Sequence, residues 1–198
     1  MANIFDPKPV TRAGQFVRLE PLEARHLPLL QAVASDPDIF RWFLTDTLNK
    51  PAAMKLWFDA ALRAQEAGAE VGFATVRQHD NKVVGSTRFL DIRRADRGLE
   101  IGNTWLAPEA QRTPVNTEAK LLMLTLAFES WGAVRVQLKT DRRNEVSRRA
   151  IARLGAVEEG TLRRYQARFD GTVRDTVVYS LIADEWPAAK TRLMAALG

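Results

Sequence analysis

The chain has 198 residues, 46% of them hydrophobic and 27% charged, with a formal net charge of +5 and no cysteine. That length fits one domain with its own core, the balance of residue types excludes a disordered chain, and the missing cysteine excludes disulfides, thiolate zinc sites and a cysteine nucleophile. His26 and His79 are the two histidines, and neither has a second ligand near it in sequence, so no metal site and no Ser–His–Asp triad is expected.

The opening MANIFDPKPV lacks the basic and apolar regions of a secretory signal. No apolar run approaches the roughly 18 residues that span a bilayer, so the expectation is a cytoplasmic protein without membrane contact. Residues 15–20 alternate as a first strand that stops at Pro21. Leu27, Leu30 and Val33 recur at helical spacing within 24–35. A second helical stretch lies near 39–44, and a third covers 51–67, with Pro51 suited to a first turn and Gly68 to a stop. The period then changes to two: 70–77 and 82–91 read as strands joined by His79, Asp80 and Asn81, and 98–106 as another.

Residues 117–131 give the clearest helix, with Leu121, Leu124, Phe128 and Trp131 on one stripe, Asn116 or Thr117 as cap and Gly132 as stop. Val134, Val136 and Leu138 alternate as a strand. Residues 144–154 form a short helix closed by Gly155. Residues 157–169 and 172–181 read as a hairpin turning at Asp170 and Gly171, and Asp184 is expected to cap a terminal helix. No linker, repeat or low-complexity tract interrupts the chain, so residues 1–198 form one domain. The element order predicts an α/β fold in three layers. A mixed central sheet of six to seven strands has an antiparallel front half, then a β–α–β crossover that sets two strands parallel, with helices on its faces.

The strand 98–106 leads through Gln111, Arg112, Thr113, Pro114 and Val115 into an apolar helix. The first N–H groups of a helix have no internal acceptor, and the dipole places about half a positive charge there, so such an end invites an anion. Asp141 to Ser147 opens the helix after the next strand, and both openings should emerge at one sheet edge. Together they suit a ligand with a diphosphate and a further phosphate; taken singly, each is equally an ordinary helix cap. Arg142, Arg143, Arg148, Arg149 and Arg153 crowd one segment that carries no stacking aromatic, which favours a local anion site over a nucleic-acid surface.

Residues 111–118, followed by Ala119, Lys120, Leu121, Leu122, Met123 and Leu124, resemble the coenzyme A pyrophosphate loop and following helix of the GNAT N-acetyltransferases. The run from Thr140 through Asn144, Ser147, Ala150 and Leu154 to Gly155 resembles their next motif. Residues 159–163 and 174–180 are similar to the branch that acetylates N-terminal amines of ribosomal proteins. The resemblance extends from Phe16 to Trp186. It implies a GNAT-like fold and a metal-free transfer of acetyl from acetyl-coenzyme A by direct attack of a primary amine, with a peptide or protein N-terminus favoured. A small-molecule amine (polyamine or antibiotic) and a non-catalytic coenzyme A sensor remain the alternatives, and a homodimer is consistent with this branch.

By the same resemblance, the backbone around Trp105 or Leu106 faces the thioester oxygen, and Gln111, Arg112, Thr113, Val115, Asn116 and Thr117 surround the diphosphate. Asn144 reaches the pantetheine arm, and Arg148 and Arg149 approach phosphates. Glu100 is the candidate base, expected to share a strand face with Gly102 and Thr104. Ser147 is the candidate proton donor to the thiolate, with Tyr165 and Tyr179 as the tyrosines able to replace it. Phe40, Trp42, Phe43 and Trp57 read as core more than as acceptor pocket. One departure matters: Pro114 and Asn116 stand where the family carries small residues. Proline offers no N–H, so weaker coenzyme binding or a displaced diphosphate is expected.

Overall fold

The computed structural model describes residues 5–45 and 48–198; residues 1–4, part of the stretch considered for a secretory signal, lie outside the described residues. In chain order the elements are β1 (Arg12–Ala13), β2 (Val17–Pro21), α1 (His26–Val33), α2 (Pro51–Glu66), β3 (Val71–Arg77), β4 (Lys82–Arg93), β5 (Gly98–Leu106), α3 (Pro114–Thr125), β6 (Arg135–Asp141), α4 (Glu145–Arg153), β7 (Val157–Ala167), β8 (Val173–Ile182) and α5 (Trp186–Ala195). The strands form one sheet of eight in the order β1-β2-β3-β4-β5-β6-β8-β7. Every neighbouring pair is antiparallel except β5 and β6, which run parallel. The count exceeds the expected six to seven by β1, which at two residues is too short to leave a periodic signal.

Strand alternation sorts the core into two layers. Leu99, Ile101, Val136, Leu138, Val177 and Leu181 pack with Val115, Ala119 and Met123 of α3, Ile151 of α4, and Ala189 and Leu193 of α5. Ala74, Val76, Val83 and Trp105 pack on the other face with Leu30 of α1 and Met54, Phe58 and Ala61 of α2. The connections β5–α3–β6 and β6–α4–β7 step in the same direction across the sheet, and a right-handed crossover then puts both helices on one face. Among the described residues no helix is long and apolar enough to cross a membrane.

Three expected boundaries shift, each for a local reason. The helix expected at 117 begins at Pro114, because Thr113 is the cap: its backbone is extended and its hydroxyl accepts from Val115 N at 3.4 Å. Proline is tolerated at that first position since the missing N–H has no intrahelical partner anyway. The stretch near 39–44 makes only a four-residue 3-10 turn, Pro37–Phe40, capped by Asp36. Asp184 does not cap the terminal helix; the neighbouring Glu185 carboxylate accepts from Ile182 N at 3.1 Å.

The N-terminal strand is fastened to α3 by a buried carboxylate. Glu118 accepts from the backbone amides of Gln15, Phe16 and Val17 at 2.7, 2.6 and 2.7 Å. Gly14 makes room for it, since a Cβ there would lie 2.3 Å from Glu118 Cδ.

Candidate active site

β5 pairs with β6 only from Gly98–Arg135 to Glu100–Gln137. Beyond that rung β5 stays with β4 as far as Leu106–Gly85, while β6 stays with β8 as far as Asp141–Thr176. Each strand follows its other neighbour, and a wedge opens between them. A bulge marks the departure: the β4–β5 register shifts between Ser86 and Arg88, and Asn103 adopts φ 49°. An inserted residue reverses the alternation downstream. Glu100 and Gly102 therefore share one face, but Thr104 does not join them as expected; it turns to the α3 face, where Lys120 Nζ donates to its hydroxyl at 2.7 Å.

The same bulge decides which amide faces the wedge. Ala107 N donates to Val84 O at 2.8 Å, so Ala107 points toward β4. By strand alternation Leu106 points the other way, its N–H into the wedge and its carbonyl to Gln111 Nε2 at 3.0 Å. Trp105 points back to β4, and its ring is buried against Phe40, with centroids 5.3 Å apart.

On the face covered by α3, α4 and α5, the openings of α3 and α4 follow the C-terminal ends of two parallel strands, so both lie at the wedge. At α3, Arg112 is exposed and takes a left-handed backbone (φ 59°), which turns the loop into the cap at Thr113. Pro114 presents no donor. Val115 is buried, with its amide in long contact with the cap, and Asn116 and Thr117 complete the first turn half-buried. The α4 opening is closed on itself: Asn144 Oδ1 accepts from Ser147 N at 3.1 Å, and Glu145 N donates to Arg143 O at 3.0 Å. That orientation leaves the Asn144 amide nitrogen as a donor, while the acidic Glu145 in the first turn disfavours phosphate. The features that suit an anion thus lie at α3 and not equally at both openings.

Two arginines expected beside phosphate are engaged elsewhere. Arg148 projects toward the sheet, its Nε donating to the Tyr179 hydroxyl at 3.1 Å and its Nη2 3.3 Å from Glu158. Arg149 pairs along the helix with Glu145 at 3.1 Å. Tyr179 in turn donates to Glu158 at 2.9 Å, and burial raises its phenol above the usual 10. Its hydroxyl is therefore committed. Ser147 is half-buried in the first turn of α4, and Tyr165 stands exposed on β7 with Lys139 Nζ 5.9 Å from its ring.

On the opposite face Glu100 is buried at the last paired rung. Its Oε2 meets Lys139 Nζ at 2.8 Å and Gln137 Nε2 at 3.3 Å, both from β6. Oε1 lies beside Gly102, where a Cβ would approach it to 3.2 Å. Further along β6, Asp141 is clasped by Arg143 and Arg168, and burial opposed by the Arg143 hydrogen bond leaves its carboxyl below the usual range. Phe40 is core, whereas Trp42 sits among the guanidiniums of Arg41, Arg143 and Arg168 at 5.3, 5.4 and 5.8 Å. Sequence reading missed Lys139, Lys120 and Glu118. The strand alternation that selected Val136 and Leu138 as core also placed Lys139 on the face of Gln137; nothing local marked the two helical residues as buried.

Residues 17–157 match the family model described as the acetyltransferase (GNAT) domain. The structure is similar to a GCN5-related N-acetyltransferase from Brucella melitensis, with TM-score 0.90 and 31% identity over 98% of this chain and 87% of that one. It shares its fold with Mycobacterium smegmatis RimJ solved in complex with CoA-disulfide, with TM-score 0.79 and 24% identity over 91% of this chain and 88% of that one. In sequence it is 32% identical over 112 residues to the Bacillus subtilis (strain 168) protein named "Putative ribosomal N-acetyltransferase YdaF", a match that covers 57% of this chain and 60% of that protein. With a parted parallel strand pair, a bulge beside it and a matching stretch of 17–157, the chain belongs to the acetyltransferase (GNAT) domain family.

Proposed function

We propose that the protein transfers an acetyl group from acetyl-coenzyme A to a primary amine, with a peptide or protein N-terminus as the acceptor and the cytoplasm as the setting. The observation that carries this reading is the wedge beyond Glu100, with the Leu106 amide aimed into it and a carboxylate on its far face. The residues present fit the coenzyme: the α3 opening with Arg112, Val115, Asn116 and Thr117 suits the diphosphate, and the Asn144 amide suits an acceptor group on the arm. The coenzyme supplies the thioester that is broken.

In the proposed reaction a C–N bond forms and a C–S bond breaks. The Leu106 N–H stabilises charge on the carbonyl oxygen, the contribution with the largest effect in acyl transfer. Glu100 takes the proton lost by the amine, directly or through one water. Ser147 is the proposed donor to the departing thiolate, since the Tyr179 hydroxyl is already committed to Glu158 and Arg148. Arg148 and Arg149 take no part in phosphate binding in the proposed reaction. The ribosomal name of the Bacillus relative supports the choice of a protein N-terminus.

The test is release of free coenzyme A thiol from acetyl-coenzyme A over a panel of peptides with free N-termini, a polyamine and an aminoglycoside. Turnover with peptides above the small amines is expected; turnover confined to the small amines would refute the acceptor class. Pro114, which removes one donor from the diphosphate loop, favours a second reading, a coenzyme A sensor without catalysis. Binding of acetyl-coenzyme A without thiol release from any amine would select it.

A further inference from the structure

Lys120 is the most deeply buried amine among the described residues, 5% exposed on the sheet-facing side of α3. Burial, with no offsetting charge, lowers its amine from the ordinary 10.5 to about 7. Its Nζ donates to Thr104 Oγ1 at 2.7 Å and to Thr87 Oγ1 at 2.9 Å, and the two hydroxyls lie 2.7 Å from each other. Three elements meet in this triangle: α3, β4 through Thr87 and β5 through Thr104. Nζ has N–H donors enough for both hydroxyls, and one hydroxyl donates to the other, so all three groups bond pairwise.

The triangle stands at the bulge. Thr104 follows Asn103, which takes the left-handed backbone (φ 49°) that few residues besides glycine and asparagine adopt. Without the bulge, regular pairing slips by one residue. Every side chain and amide beyond it then turns to the opposite edge. Leu106 N–H would face β4, and Trp105 N–H would face the wedge. Thr104 and Thr87 are the side chains flanking the shift, and Lys120 is the group that bonds both.

Resting on the transferase reading above, we infer that Lys120 is a positioning residue: by bonding Thr87 and Thr104 it locks the β5 bulge and so aims the Leu106 amide at the thioester oxygen. Lys120 touches neither substrate. Its effect passes through the strand.

Isotope-edited infrared spectroscopy of bound carbonyl-labelled acetyl-coenzyme A reads that aim directly and needs no acceptor. In the wild-type protein the Leu106 hydrogen bond is expected to move the thioester carbonyl band below its position for free acetyl-coenzyme A. In Lys120→Met, of similar length, and in Thr104→Val, of similar shape, the band returns toward the free position. With an acceptor present, kcat falls on the order of 10- to 100-fold while the coenzyme Kd changes by less than about threefold. A band displaced in Thr104→Val and in folded Lys120→Met as far as in wild type overturns the inference and leaves the transferase reading intact. If Lys120→Met does not fold, the band in Thr104→Val decides alone. A wild-type band at the free position overturns the transferase reading itself, and the inference with it.

Discussion

Lys139 Nζ lies 2.8 Å from Glu100 Oε2, reaching back to β5 from two residues beyond Gln137, the partner of Glu100 on the last rung that β5 and β6 share. This ion pair fixes the carboxylate through one oxygen and leaves the other beside Gly102, facing space that any larger side chain would fill. Gly102→Ala would push a methyl toward both Leu90 Cδ2 and Glu100 Oε1.

Glu100→Gln keeps the shape and the contact to Gln137 but removes the proposed proton acceptor. The expected result is a kcat lower by about 10²- to 10⁴-fold, the usual range for loss of a general base, with acetyl-coenzyme A binding changed little. Steady-state thiol release paired with calorimetric titration checks it. Weakened cofactor binding with unchanged kcat would assign Glu100 a structural part instead.

Pro114 opens α3 at the position where the proposed reading sets the diphosphate, and it offers no amide donor. Pro114→Ala restores that N–H within a helix that already begins there. Coenzyme A should bind on the order of ten- to a hundredfold tighter, the equivalent of roughly 1.5 to 3 kcal/mol for a hydrogen bond to a charged group. The folded state should lose about 0.4–1 kcal/mol through the freer unfolded chain. Titration calorimetry and urea unfolding measure the two effects separately.

Glu118 satisfies three backbone amides at the start of β2. Glu118→Ala leaves them unpaired in a buried setting and should lower unfolding stability by about 2–4 kcal/mol, seen as a reduced denaturant midpoint. Glu118→Gln, which retains one acceptor oxygen, should lose less than the alanine variant.

Lys120 gives stability a pH dependence of known sign. Its amine is lowered to about 7 in the folded state and returns to 10.5 when the chain unfolds. Between those values the unfolded state binds the extra proton, so stability rises with pH across that window, and the penalty of a buried ammonium is fully present below about 7. Lys120→Met removes this titration. Urea midpoints at about pH 6.5 and about pH 9.5 should show the variant gaining on wild type at the lower value and losing that advantage at the higher. A difference independent of pH would show that the lysine does not titrate there.

Much of the fold was legible because apolar spacing is set by which face each element buries. The 98–106 strand, the helix opening at Pro51, the stop at Gly155 and the left-handed Gly132 after the π-helical turn Leu126–Ser130 that continues α3 all follow from that pattern and from turn chemistry. The site was legible less completely. Asn144 behaves as the cap expected, but Thr113 displaces Asn116 at α3, because a residue followed by proline favours the extended backbone a cap needs. The bulge at Asn103 has no composition signal, and it alone moves Thr104 to the opposite face from Glu100. Arg148 sits in a motif that suggested phosphate, yet its partners, Glu158 and Tyr179, come from β7 and β8. Contacts of that kind are fixed by the register of β7 and β8, which local patterning does not specify.

The most direct measurement is a backbone amide nuclear magnetic resonance titration with acetyl-coenzyme A. Saturable shifts are expected at Leu106, at Val115, Asn116 and Thr117, and at Asn144 and its neighbours, with Arg163 and Arg164 on β7 unmoved. Shifts gathered on β7, or no saturable shift at all, would contradict a coenzyme seated in the wedge between β5 and β6.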